Sequence, residues 1–125
     1  MITKYLPIAT RPVFRPMVFE FPDAATNDSD DIDGGEGIHL ASQRQFMLGN
    51  AILVSPVLEA AASIVDVYFP RGSWYELWSG LGLNYQEEVS RWQKIEALLY
   101  QIPSYIRGGT IVPMLVSMTI FNIIV

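Results

Sequence analysis

Two stretches are the most informative about the fold: PVFRPMVFEFP at residues 12–22 and QFMLGNAILVSPV at residues 45–57. In the first stretch, residues 13–21 are rich in side chains that favour strands. Three prolines punctuate them, so the segment is predicted to be extended and not helical. Because Pro16 has no N–H group, it would remove a hydrogen bond from a central strand.

The second stretch contains a short continuous apolar run, AILVSPVL, at residues 51–58. Such a run suits a strand buried on both faces, as in a parallel sheet, although its periodicity alone does not exclude a helix. Gly49 and Asn50 supply a turn before it and favour the strand. Between the two stretches, residues 23–42 are acidic and rich in small polar residues, which predicts a surface loop.

Short strands are also predicted in the second half of the chain. Residues 63–68 alternate in the manner of a half-exposed antiparallel strand, and residues 73–78 offer another short strand. The turn at residues 70–72 connects them tightly, which predicts a hairpin. The change from buried to alternating character places a domain boundary near residues 59–63.

The segment EEVSRWQKIEALLYQ at residues 87–101 has an amphipathic period that, taken alone, predicts a helix. Farther along, residues 105–113 place Gly108 and Gly109 between two short β-type runs. This arrangement predicts a turn between strands.

Composition excludes several classes of function. The chain has 125 residues, far fewer than the roughly 250 of a complete TIM barrel. Its formal charge of −5 and scattered Lys and Arg argue against nucleic acid and anionic membranes as partners. Without cysteine, and with His39 as the one histidine, disulfides, thiolate metal sites and multi-histidine sites are excluded. The apolar residues 114–125 are shorter than the roughly 20 that span a bilayer, so no membrane span is expected.

Four segments, in order, resemble segments of glycoside hydrolase family 31. PVFRPMVFEFP at residues 12–22 resembles the family's PVMRPLFFEFP, and QFMLGNAILVSPVL at residues 45–58 resembles QFLLGPALLVAPVL. VDVYFPRGSWYELWSG at residues 65–80 resembles VDVYLPPGTWYDFWTG, and IPSYIRGGTIVP at residues 102–113 resembles IPVFVRGGSIIP. The similarity runs over about residues 9–113, most of the chain.

The resemblance implies a mixed fold, α/β and β. Residues 1–60 would form the C-terminal end of a (β/α)8 catalytic barrel, and residues 61–125 would form part of the antiparallel β-sandwich beside it. In the family, the segment that matches residues 87–101 is a strand and loop. The loop at residues 28–42 is longer than usual, and residues 114–125 depart from the family pattern. The chain is therefore expected to be a C-terminal fragment of such an enzyme.

The family resemblance also implies an activity, the retaining hydrolysis of O-glycosyl bonds in α-glucosides or α-xylosides, and a secreted or lysosome- or vacuole-like location. Retaining hydrolysis requires two carboxylates about 5 to 5.5 Å apart. In the family these are aspartates, one of them in a W-x-D-M-N-E-like segment, both upstream of the matched region. This sequence contains neither segment. No catalytic, substrate-binding, cofactor-binding or metal-binding residue is therefore assigned, no cofactor is expected, and whether the chain alone is an enzyme stays open.

Acidic side chains after the first stretch could in principle furnish a catalytic pair: Asp23, Asp28, Asp30, Asp31, Asp33 and Glu36. A solvated acidic loop is favoured, because the segment lacks desolvating apolar neighbours and its glycines would not hold a fixed separation. The same loop invites comparison with an EF-hand, through Ser29, Asp31, Asp33 and Gly34. Leu40, however, stands where a bidentate glutamate is needed, so a calcium site is disfavoured.

Five aromatic residues could stack on sugar rings: Trp74, Tyr75, Trp78, Tyr85 and Trp92. Core packing is the competing interpretation. In an alternating strand, Trp74 and Trp78 share one face and Tyr75 takes the other, so at least one set is predicted to be buried.

Other polar residues have structural interpretations. Arg15 and Arg107 recur in the matched segments and are predicted to anchor loops through carboxylates or carbonyls. His39 lacks a Ser or Cys partner and is predicted to be exposed. Ser55 precedes a proline without the G-x-S-x-G pattern of a nucleophile, so it is predicted to be a packing serine.

Two classes of function stay open. The first is part of an α-glucosidase-type hydrolase whose catalytic aspartates lie elsewhere and whose partner is a carbohydrate. The alternative is a non-catalytic β module that binds glycans or docks on an intact hydrolase.

Overall fold

The computed structural model describes residues 12–26, 36–83 and 90–114. The strands there are β1 (Phe14–Pro16), β2 (Phe46–Leu48), β3 (Ile52–Val54), β4 (Ile64–Phe69), β5 (Trp74–Glu76), β6 (Arg91–Glu96) and β7 (Ser104–Arg107). The helices are α1 (Met17–Glu20), α2 (Pro22–Thr26) and α3 (Glu36–Ser42). Five strands form one sheet in the order β1-β2-β3-β7-β5, and β4 and β6 form a second sheet. All these pairings are antiparallel.

The first stretch is only partly extended, so its prediction as one continuous segment was wrong. Strand β1 ends at Pro16, which has φ −60° and ψ 152° and caps the start of α1. Proline with this φ is accepted at a helix start because the first helical N–H groups need no partner in the helix. In the sheet, Pro16 lies on the edge strand β1, where a missing N–H is tolerated.

The segment predicted as a surface loop at residues 23–42 contains helices α2 and α3, so that prediction was wrong where the structure describes it. Ile38 and Ala41 are fully buried, and their spacing of three places them on one face of α3. The Ser42 hydroxyl donates to the Ile38 carbonyl at 2.9 Å and accepts from the Val18 N–H at 3.2 Å. These contacts attach α3 to α1.

A strand inside residues 51–58 is confirmed, but its interpretation as part of a parallel sheet was wrong. Strand β3 pairs antiparallel with both β2 and β7. The turn at Gly49, which has φ +60°, joins β2 to β3 and reverses the chain direction. The antiparallel arrangement follows because so short a connection cannot cross over to a parallel neighbour.

The predicted hairpin between residues 63–68 and 73–78 was also wrong. Strand β4 pairs with β6, and β5 pairs with β7. The indole N–H of Trp74 donates to the Pro70 carbonyl at 2.8 Å and ties β5 to the turn that precedes it. Alternation is also lost at the end of β4, where Val67, Tyr68 and Phe69 are all buried.

Strand β6 lies where the amphipathic period predicted a helix, so the helix was wrong and the strand implied by the family resemblance is confirmed. Six residues of β6 pair with β4, and Tyr68 lies opposite Trp92. After β7, Gly108 and Gly109 form the predicted turn, but residues 110–113 form no strand.

One hydrophobic core lies between the sheets and the helices. Its buried members are Met17, Phe21, Ile38, Ala41, Met47, Leu53, Val67, Tyr68, Phe69, Trp74 and Tyr105. Phe69 meets Tyr105 edge to face, with ring centroids 4.8 Å apart. This contact packs the end of β4 against β7 of the larger sheet.

The five-stranded sheet takes β1, β2 and β3 from before residue 60, and β5 and β7 from after it. Leu53 of β3 lies opposite Tyr105 of β7. The described parts of the two predicted domains are therefore joined by hydrogen bonds, and the end of a barrel is not seen in them. The division into residues 1–60 and 61–125 stays a prediction.

Candidate functional site

The carboxylate of Glu20 lies between two arginines. Its Oε2 accepts from Arg15 Nη1 at 2.8 Å, and its Oε1 accepts from Arg107 Nη1 at 3.3 Å. The side chains of Glu20 and Arg15 are 16% and 10% exposed, so the pair is largely removed from water. We call Arg15, Glu20 and Arg107 the arginine clamp.

Further contacts extend the arginine clamp into the neighbouring backbone. Arg15 Nε donates to the Pro12 carbonyl at 2.6 Å, and Arg107 Nη1 lies 3.5 Å from the Asn50 carbonyl. The guanidinium of Arg107 also lies over the ring of Phe21, 4.7 Å from its centroid, in cation–π geometry. The predicted anchoring roles of Arg15 and Arg107 are thus confirmed.

Glu20 was missed as a candidate by the sequence analysis. The signal was present, since a single carboxylate stands within the apolar run of the first stretch. The arrangement gives Glu20 a structural use, because both of its oxygens are engaged by guanidinium groups.

The acidic candidates lie mainly outside the described residues: Asp28, Asp30, Asp31 and Asp33. Asp23 is exposed at the start of α2, and Glu36 begins α3. The residues compared with an EF-hand also lie outside the described residues, except Leu40, which lies on α3 with 47% of its surface exposed. Within residues 12–26, 36–83 and 90–114, no group of three or more metal-ligating side chains comes together.

The aromatic candidates separate into buried and exposed groups. Trp74 is 1% exposed, and Trp92 packs on the edge of Tyr68 with ring centroids 5.4 Å apart. Tyr75 and Trp78 are 42% and 58% exposed. The expectation that Trp74 and Trp78 share a face was wrong, because β5 ends at Glu76 and the chain turns before Trp78. Tyr85 lies outside the described residues.

A shallow groove of about 40 Å³ lies beside Trp78. It is lined by Glu76, Trp78, Ile95, Glu96, Leu98, Gln101, Ile102, Pro103 and Tyr105. The indole N–H of Trp78 donates to the Ile102 carbonyl at 3.4 Å, and the Ser79 hydroxyl donates to Glu76. We call this the Trp78 groove. Its polar residues were not predicted from the sequence, because they come from segments that are far apart in the chain.

Burial raises the pKa of Tyr105 to about 12, and the nearby Glu76 carboxylate adds to this rise. Desolvation disfavours the phenolate, and a neighbouring negative charge repels it. Tyr105 is therefore a neutral phenol under ordinary conditions. The negative charge of the Trp78 groove comes from Glu76 and Glu96.

A larger cleft of about 160 Å³ lies on another part of the surface. Arg44, Glu59 and Asp66 line it together with apolar residues of the segment after β3. The remaining candidates lie elsewhere: His39 is exposed on α3, as predicted, and Ser55 is buried with no hydrogen-bond partner for its hydroxyl. Ser55 is a packing residue, as predicted.

Comparison with known proteins gives the family. The sequence model of the glycosyl hydrolase family 31 C-terminal domain matches residues 10–112. An α-glucosidase of Hordeum vulgare is 36% identical over 104 residues, which are 82% of this chain and 10% of the relative. A probable maltase-glucoamylase 2 of Homo sapiens is 39% identical over 101 residues, which are 81% of this chain and 3% of the relative.

Solved structures of the same family have the same fold. An α-xylosidase from a soil metagenome, complexed with xylose, aligns with a TM-score of 0.57 and 32% identity, covering 79% of this chain and 12% of that chain. A Flavobacterium johnsoniae dextranase complexed with isomaltotriose aligns with a TM-score of 0.63 and 27% identity, covering 89% of this chain and 12% of that one.

The chain belongs to glycoside hydrolase family 31, and its matched residues correspond to the C-terminal domain of that family. It spans about 10% of the length of the Hordeum vulgare relative and 3% of the length of the Homo sapiens relative. Among the described residues, no helix has the length and apolar character that would let it cross a bilayer.

Proposed function

We propose that this chain is part of a retaining α-glucosidase-type hydrolase that acts on O-glycosyl bonds, with catalytic carboxylates supplied from outside these 125 residues. Its role in that enzyme is structural: it forms a β unit that supports the catalytic domain. Similarity to α-glucosidases and to an α-xylosidase supports the substrate class.

The arginine clamp carries this proposal. Glu20 belongs to the first family-like segment, Asn50 to the second and Arg107 to the fourth, and their contacts meet at one place. The third segment joins through Trp74, which pairs with Arg107 in the sheet. The residues that carry the family resemblance thus hold the fold together, as expected of a structural unit.

The chemistry of retaining hydrolysis supports a structural role as well. It needs one carboxylate as nucleophile and a second as acid and base, about 5 to 5.5 Å apart. Glu20 contacts one arginine through each of its two oxygens, and these ion pairs give it a structural use. It stabilises the fold and leaves the reaction to other residues.

A chimera tests this proposal. Residues 12–114 would replace the matching segment of the Hordeum vulgare α-glucosidase, and hydrolysis of p-nitrophenyl α-glucoside would be measured for the chimera and for the purified 125-residue chain. We expect turnover by the chimera and none by the chain alone. Turnover by the chain that survives repurification and disappears on mutation of the acidic residues 23–36 would contradict the proposal. A folded chimera without turnover would also contradict it.

The second candidate function is a non-catalytic β module that binds glycans or docks on an intact hydrolase. One observation favours it: Trp78 is 58% exposed beside a groove that contains two glutamates. Tryptophan rings form an apolar platform with a polar edge. This candidate does not compete with the first, because a structural unit of a hydrolase can also hold substrate outside the catalytic site.

A further inference from the structure

Trp78 is largely exposed just beyond β5. The hydrogen bond from its indole N–H to the Ile102 carbonyl, at 3.4 Å, holds one edge of the ring, while 58% of the residue is exposed. The other two tryptophans have packing roles: Trp74 lies in the core, and Trp92 packs against the ring of Tyr68. A ring already held in place loses little freedom when a ligand stacks on it.

Polar groups lie next to this ring. Glu76, Glu96 and Gln101 line the Trp78 groove and come from β5, β6 and the segment before β7. Carboxylates accept hydrogen bonds, and an amide both donates and accepts them. Glu76 already accepts from Ser79, but its carboxylate retains further lone pairs. The groove therefore suits a ligand with several hydroxyl donors beside an apolar face.

Size and charge narrow the ligand class. A volume of about 40 Å³ is too small to enclose a sugar ring, so a ring must lie across the opening and over Trp78. Glu76 and Glu96 carry negative charge, and the chain has a formal charge of −5. An anionic ligand would be repelled from this surface.

We propose that Trp78 and its groove form a non-catalytic binding site for a neutral oligosaccharide of pyranose units. One pyranose ring places its C–H face on the indole, and its hydroxyls donate to Glu76 and Glu96. Gln101 bonds the neighbouring hydroxyl or ring oxygen. The site deepens the second candidate function and rests on it, and it requires no hydrolysis by the chain.

Titration of the 125-residue chain with maltotriose, followed through the indole N–H signals in a ¹H–¹⁵N spectrum, tests the site. Trp78→Phe removes one indole signal and so assigns it, while it keeps a ring at the position. We expect maltotriose to shift the Trp78 signal with millimolar affinity and to leave the Trp74 signal in place. Trp78→Ala should weaken binding by about tenfold or more, because the stacking surface is lost.

Tyr100→Ala is the matched control, because Tyr100 is 81% exposed and does not line the groove. It should leave the affinity for maltotriose unchanged. The inference is overturned if maltotriose causes no shift at the Trp78 signal, or if Trp78→Ala binds as well as the original chain. Equal binding of glucose 1-phosphate would overturn the assignment to a neutral ligand.

The two proposals fail separately. If the chimera hydrolyses its substrate but the chain does not bind maltotriose, the sugar site is contradicted and the structural role is supported. If the chain binds maltotriose but the folded chimera is inactive, the sugar site is supported and the structural role is contradicted.

Discussion

The side-chain amide of Gln45 pairs with both backbone polar groups of Tyr68. Gln45 Nε2 donates to the Tyr68 carbonyl at 2.7 Å, and Gln45 Oε1 accepts from the Tyr68 N–H at 2.9 Å. Tyr68 lies in β4, and Gln45 immediately precedes β2 of the other sheet. Gln45 is only 2% exposed, so one buried amide replaces a neighbouring strand at this point and joins the two sheets.

Replacing Gln45 with leucine should therefore destabilise the fold severely. Gln45→Leu keeps the bulk but leaves a buried N–H and a buried carbonyl without these partners, at about 1 to 3 kcal/mol each. We expect a loss of about 2 to 5 kcal/mol in the free energy of unfolding, measured by urea denaturation. The exposed Gln43 offers a matched control, because Gln43→Leu should change stability by about 0.5 kcal/mol or less. Equal effects of the two substitutions would contradict the role of Gln45.

The arginine clamp predicts a second loss of stability. Glu20→Gln preserves shape but leaves the guanidinium of Arg15, 10% exposed, without its carboxylate. Breaking a largely buried ion pair on one side should cost about 3 kcal/mol in the free energy of unfolding. Glu59→Gln, at an exposed turn, should cost little and serves as the control in the same urea measurement. If the loss of unfolding free energy in the double variant Glu20→Gln/Arg15→Met equals the sum of the losses in the two single variants, the two residues are not coupled.

A strand or turn could be predicted from the sequence only where neighbouring residues determine it. Gly49 and Asn50 predict the turn before β3 because glycine accepts the positive φ that the turn requires. The pairing of β4 could not be predicted in the same way. A turn at residues 70–72 is compatible with a hairpin, whereas the observed pairing of β4 with β6 joins residues that are far apart in the chain.

The helix predicted at residues 87–101 failed for the same reason. Trp92 and Ile95 are spaced as on a helix, but pairing along β4 gives this segment hydrogen bonds and packs Trp92 against Tyr68. Tertiary contacts thus override the local period. In the candidate site, the two arginines were visible within the motifs, whereas the contact from Arg107 to Glu20 spans 87 residues and only the folded chain brings it about.

Tyr105 predicts a pH dependence at alkaline pH. The pKa of Tyr105 is about 12 in the folded chain, whereas an unperturbed tyrosine has a pKa of 10.0. The folded state therefore holds the phenol proton more tightly than the unfolded state. This contribution to stability is complete below pH 10 and is lost as the pH rises from 10 towards 12. The full loss is of order 2 to 3 kcal/mol.

The measurement is the free energy of unfolding between about pH 9 and pH 12, for the chain and for Tyr105→Phe. All other ionisable groups are common to both proteins, so the difference between the two curves isolates Tyr105. We expect the stability advantage of the chain over Tyr105→Phe to shrink as the pH rises. A constant difference across this range would show that burial does not hold the proton on Tyr105.

The two glycines after β7 are predicted to be required for different reasons. A Cβ atom built on Gly108 would lie 2.8 Å from the Ser73 Cβ and 3.1 Å from the Ser73 carbonyl oxygen. At Gly109 there is open space, but the backbone has φ +79°, which a residue with a side chain rarely adopts. Gly108→Ala should therefore cost about 1 to 3 kcal/mol through overpacking, and Gly109→Ala about 1 to 2 kcal/mol through backbone strain.

A rescue experiment separates the two causes. Ser73→Gly removes the Cβ atom that a side chain at position 108 would meet, so it should restore part of the stability lost in Gly108→Ala. The same substitution should not help Gly109→Ala, because no atom of Ser73 lies near that Cβ position. Urea denaturation of the original chain, the three single variants and the two double variants gives the coupling free energies directly. Equal rescue of both glycine variants would mean that Ser73→Gly does not act through this contact.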